Sequence, residues 1–119
     1  MLKVKVFSGD VLIGTAELFA ADPPMGVATG VLVPTQAYAP LRSTINAIFM
    51  GPTLGWSELA LKAVAEDGSV VSGVGGAYID DVLEDDFPPQ LTVAGIDCAS
   101  GLYEAWFGKD LAYRDYYLK

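Results

Sequence analysis

Leu2, Val4 and Val6 alternate with Lys3 and Lys5, the two-residue period of a strand that buries one face. Ser8-Gly9-Asp10 follows as a turn. Residues 11–18 then put Leu12, Ala16 and Leu18 on one face and Thr15 and Glu17 on the other, so the N-terminus reads as a hairpin. Gly14 and Gly30 interrupt strand-like runs, which predicts bulges or sharp bends. Such bends curl a small sheet toward a barrel. Asp22-Pro23-Pro24-Met25-Gly26 is a stiff loop, because proline has a fixed φ and no N–H to pair. Residues 27–33 resume a strand that ends at Pro34.

Helical spacing takes over with Tyr38, Leu41, Ile45, Ile48 and Phe49, with Pro40 tolerated in the first turn and Gly51-Pro52 as the stop. Residues 59–65 fit both periods: Glu58 and Lys62 form an i,i+4 pair, while Leu59, Leu61 and Ala63 alternate. The Glu66-Asp67-Gly68 turn before Val70 and Val71 decides for a strand within a hairpin. Gly73, Gly75 and Gly76 lead into a strand over 77–81, residues 82–90 form an acidic, proline-ended loop, and 91–97 form the last strand. Ser100 is placed to cap a helix carrying Tyr103, Trp106 and Phe107. Continuing that helix to 118 would set Asp110 inside an aromatic stripe. Gly108 is therefore read as a stop, and Asp110 as the cap of a second helix with Leu111, Tyr113, Tyr116 and Tyr117.

Strands thus outnumber helices roughly seven to three, which predicts an α+β fold of mostly antiparallel β. The expected architecture is a strongly bent sheet or partly open small barrel, with one mid-chain helix and C-terminal helices over one opening. At 119 residues the chain is read as a single domain, 1–119, able to bury a core without disulfides. The uncharged stretches 23–41 and 43–57 are broken by Pro24, Gly26, Pro34, Pro40, Asn46, Gly51 and Pro52, so no membrane span is expected. Ser8-Gly9-Asp10 cuts the first apolar run too early for a signal peptide, and a cytoplasmic protein is expected.

The chain has no histidine and one cysteine, Cys98. Without histidine a single chain forms no Ser-His-Asp triad and no Cys-His dyad, and zinc loses its commonest ligand. Cys98 reads as a small buried apolar residue or as a thiolate with no basic neighbour in sequence. Net charge is −8 and unevenly spread: residues 1–79 hold six acids and four bases, residues 80–119 nine acids and three bases. Such a surface repels phosphate backbones, so nucleic acid is not expected as a partner. It attracts a basic protein. Self-association is the other expectation for a partner, and no cofactor is expected.

Asp80, Asp81, Glu84, Asp85 and Asp86 crowd one loop and are the candidate ligands for a hard cation, although their spacing matches no EF-hand. The same run read blandly is a solvated, self-repelling loop. Asp22, Asp80, Asp81 and Asp97 fall at strand ends or loops, where a carboxylate pair for acid–base hydrolysis could form across a cleft. Gly73-Val74-Gly75-Gly76 lacks the lysine and spacing of a phosphate loop. Six of the thirteen aromatics lie between Tyr103 and Tyr117. Tyr103, Trp106 and Phe107 read as core, while Tyr113, Tyr116 and Tyr117 are candidates for an interface. The expected function is a non-enzymatic protein-interaction or binding module, with Asp22, Asp80, Asp81 and the three late tyrosines as binding residues. A small-molecule binder or hydrolase working with carboxylates in a barrel mouth, and a divalent-cation-binding protein, are the alternatives.

Overall fold

The structure is a computed structural model and describes residues 1–50, 56–73, 76–82, 86–96, 101–110, 112 and 114. Seven strands, β1 (Leu2–Ser8), β2 (Val11–Asp22), β3 (Val27–Pro34), β4 (Leu61–Ala65), β5 (Val70–Val71), β6 (Gly76–Asp80) and β7 (Gln90–Ala94), form one sheet. Its order is β5-β4-β1-β2-β3-β7-β6, every neighbouring pair is antiparallel, and it curls into a half-barrel. Helices α1 (Arg42–Met50), α2 (Trp56–Leu59) and α3 (Leu102–Phe107) complete the α+β fold expected from the sequence. Among the described residues no helix is long and apolar enough to cross a membrane.

Several boundaries moved for local reasons. Residues 36–41 wind as a 3-10 turn whose start is capped by the Thr35 hydroxyl, so Pro40 sits there and α1 begins after it. Leu59 closes α2, Ala60 takes φ 48, and β4 starts at Leu61, so 59–65 is part helix and part strand. Asp81 lies beyond the end of β6. Ser100 and Cys98 lie outside the described residues; Gly101 stands at the N-terminus of α3.

The bulge at Gly14 changes which residues are core. Val6 pairs with Gly14 but Phe7 pairs with Leu12, so Ile13 is an extra residue in β2. An extra residue flips the alternation. Ile13 is therefore fully buried and Leu12 is exposed, the reverse of unbroken alternation. Gly30 acts differently. Between the pairs Ala16–Leu32 and Phe19–Thr29 the strands press together, and a Cβ at Gly30 would collide with the Glu17 carbonyl. This close approach lets the sheet turn sharply.

The core lies on one face of the sheet. Val4, Val6, Ile13, Leu18, Leu32, Ala63, Ile79, Leu91 and Val93 meet Tyr38 and Ile45 from the helical segment before β4. From α3 come Tyr103 and Phe107, both fully buried with ring centroids 4.9 Å apart. The Tyr103 hydroxyl donates to the Val27 carbonyl at 2.8 Å, which docks α3 at the β2–β3 end of the half-barrel. Trp106 packs on the rim of this cluster, so these three aromatics are packing residues, as expected. Beyond Gly108 the Arg114 N–H bonds the Asp110 carbonyl at 3.0 Å, which puts Asp110 at the head of a new helical turn. Its carboxylate also ties the termini to the sheet, accepting from the Ala20 N–H at 2.9 Å and pairing with the Met1 amine.

Replacing Gly30 by Ala is expected to destabilise the fold by about 2–3 kcal/mol, because the new Cβ meets fixed backbone. Gly9 has φ 60 but open space around it, so Gly9→Ala should lose only about 1 kcal/mol. Urea midpoints of the two variants decide whether close approach or turn conformation is the stronger constraint.

Candidate functional site

Asp81 is the only fully buried charged side chain among the described residues. It is met by three residues from one stripe. Tyr38, Arg42 and Asn46 follow at i, i+4 and i+8, which places them on one face of the helical segment. The Tyr38 hydroxyl donates to Asp81 Oδ2 at 2.6 Å, and Arg42 Nε bonds both carboxylate oxygens at 3.1 and 3.3 Å. Asn46 Nδ2 donates to the Asp81 carbonyl at 2.7 Å. Burial, and then the adjacent Asp81 carboxylate, push the Tyr38 phenol far above its ordinary range. Tyr38 is accordingly a fixed donor rather than a base. The cluster clamps α1 to the end of β6, and its carboxylate is committed to that role.

A second feature occupies the face of the sheet on which, among the described residues, no helix packs. There a groove of about 970 Å³ runs along β1 and β2 between banks from β4 and β3. Its charged floor consists of Lys3 and Lys5 beside Thr15 and Glu17, paired across β1 and β2. Val64 and Phe7 flank it on one side; Phe19, Val31 and Val33 flank it on the other. Phe19, Val31 and Val33 are 46%, 45% and 62% exposed. At one end Lys62 Nζ stands 5.6 Å from the centroid of the Phe7 ring. Glu66, which leads into the β4–β5 turn, stands at the other side of the floor. That turn is held by the Ser69 N–H donating to Asp67 Oδ1 at 2.9 Å, a bond that keeps the Asp67 carboxyl below its usual range.

The structure separates the acids that the sequence groups together. Asp80 is on β6 opposite Gln90 and half-buried, Asp81 turns into the helix clamp, and Asp86 is exposed. Glu84, Asp85 and Asp97 lie outside the described residues. Among the described residues no three acids or cysteines come together to hold a metal. Asp22 is exposed at the end of β2, beside a register shift. Tyr113, Tyr116 and Tyr117 also lie outside the described residues.

Sequence reasoning overlooked Arg42 and Asn46, although the four-residue spacing from Tyr38 was visible. It also overlooked the groove. The runs Leu18-Phe19-Ala20 and Val31-Leu32-Val33 are apolar on both faces, the pattern of a strand covered on both sides. Comparison with protein-family models, curated proteins and solved structures finds no match for this chain.

Tyr38→Phe should lose about 2 kcal/mol at neutral pH, the worth of a hydrogen bond to a charged group. Arg42→Ala, which takes a guanidinium away from the fully buried Asp81 carboxylate, should lose about 3 kcal/mol. In the unfolded chain tyrosine ionises near pH ~10, while folded Tyr38 keeps its proton well above that. This contribution is therefore fully present below pH ~10 and is lost above it, by up to ~1.4 kcal/mol per pH unit. Urea unfolding at rising alkaline pH should show a shallower decline for Tyr38→Phe than for the parent; parallel declines would refute the assignment.

Proposed function

We propose that this protein is a non-enzymatic protein-interaction module and that the open face of its sheet is the docking surface. The observation that carries the reading is the exposure of Phe19, Val31 and Val33 in short runs whose sequence is apolar on both faces. Large apolar side chains grouped in solvent on one face beside charged ones mark an interaction site. Covering these three half-exposed side chains would contribute about 1 kcal/mol each.

The charged groups of the groove support binding rather than chemistry. Acid–base catalysis by a carboxyl pair calls for one desolvated member. Glu17 and Glu66, the carboxylates along the groove, are both exposed. Asp81, which is desolvated, is held by Tyr38 and Arg42.

Anilinonaphthalene sulfonate, an apolar dye with one negative charge, is a direct probe of the groove. It should fluoresce with the parent protein and shift the amide resonances of Thr15, Val31 and Val33. The Val31→Asp/Val33→Asp variant should lose at least fourfold in dye affinity with little change in melting temperature, because both side chains are solvent-facing. Undiminished dye binding by that variant would sink the reading.

A further inference from the structure

We infer that the occupant of the groove is an amphipathic α-helix of a partner protein, three to four turns long, with acidic residues toward one end and basic residues toward the other. This inference rests on the docking reading above and adds the kind of partner.

Backbone chemistry selects the helix. The groove lies over β4, β1, β2 and β3, each of which is hydrogen-bonded to a strand on both sides. Strand hydrogen bonds lie in the plane of the sheet, so an extended peptide laid on this face finds no ladder to join. A helix brings its own hydrogen bonds and needs only side-chain contact. The dimensions agree. Four adjacent strands span about 14 Å, wide enough for one helix of ~10–12 Å diameter. Leu2 pairs with Leu18, so Phe19 lies level with the start of β1, and Phe7 lies near its end. That length is about 20 Å at the strand rise, matching ~13 helical residues.

Charge sets the pattern of the helix. Lys5 has Thr15 and Val64 as its cross-strand neighbours, and Lys62 lies over Phe7. Among the described residues neither lysine forms an ion pair. At the opposite end Lys3 faces Glu17, with Glu66 beyond the end of β4, so two acids stand around one lysine. The groove is thus positive at the Lys5–Lys62 end and negative at the Glu17–Glu66 end, although the whole chain carries −8. Helices ordinarily carry acids in the first turn and bases in the last, which supplies both complements. A second copy of this chain brings another −8 and is repelled at long range.

The test uses the full chain and synthetic helical peptides that share one apolar stripe and one length. One peptide has segregated charge, one is acidic throughout, one is basic throughout, and a fourth is the segregated peptide with a central proline. The segregated peptide should bind at least tenfold more tightly than the two uniform ones, shift the resonances of Thr15, Val31 and Val33, and weaken as salt rises. The proline version should fail to bind. Lys5→Glu/Lys62→Glu, with circular dichroism confirming the fold, should switch preference to the basic peptide. Equal binding of the proline version overturns the helix and leaves the docking reading standing. So does binding of the dye by a protein that takes no peptide. Loss of both dye and peptide binding overturns the two together. A dimer in sedimentation that Val33→Asp dissolves would replace the partner helix with a second copy.

Discussion

A carboxylate taken completely out of water must be met by donors, and here the donors arrive from a different part of the chain. Asp81 follows the edge strand β6, while Tyr38, Arg42 and Asn46 belong to the helical segment between β3 and β4. Removing the donors withdraws hydrogen bonds and a positive charge from a carboxylate in a low-dielectric interior, which is severely destabilising. The cluster therefore selects one position of α1 against the sheet. Apolar contacts alone, through Ile45 and Leu41, tolerate sliding; an aspartate bonded through its carboxylate to a hydroxyl and a guanidinium, and through its main-chain carbonyl to an amide, does not.

From that anchored position follows the division of the sheet into two unlike faces. The helical elements gather on one face, with Tyr38 and Ile45 near β6 and Tyr103 and Phe107 at the β2–β3 end. The other face keeps Phe19, Val31 and Val33 in solvent beside four charged side chains. The close approach at Gly30 and the bulge at Gly14 fall in β3 and β2, two of the strands that line the groove on this face.

Strand alternation in β1, the hairpin turns and the proline loop were legible because they are local: each is decided by a few adjacent residues. The bulge was legible at Gly14, but its consequence was not. Whether Ile13 or Leu12 turns inward depends on the register adopted with β1, and Phe7 pairing with Leu12 settles it. The acidic run illustrates the opposite error. Asp80 and Asp81 look like a pair in sequence, yet consecutive residues at the end of a strand point apart, and one of them is consumed by a helix clamp.

Charge and period by themselves determined the α+β class, the prevalence of antiparallel strands and the absence of histidine chemistry, because those depend on composition and on neighbours a few residues apart. Tertiary structure alone decided the partner of Asp81, the sign of charge within the groove and which apolar side chains stayed outside. The physical reason is that each of these depends on residues brought together from distant positions: 38 with 81, 5 with 64, 15 with 33. A net charge of −8 describes the molecule from afar. What the open face presents at close range is Lys5 and Lys62 beside a bank of valine and phenylalanine.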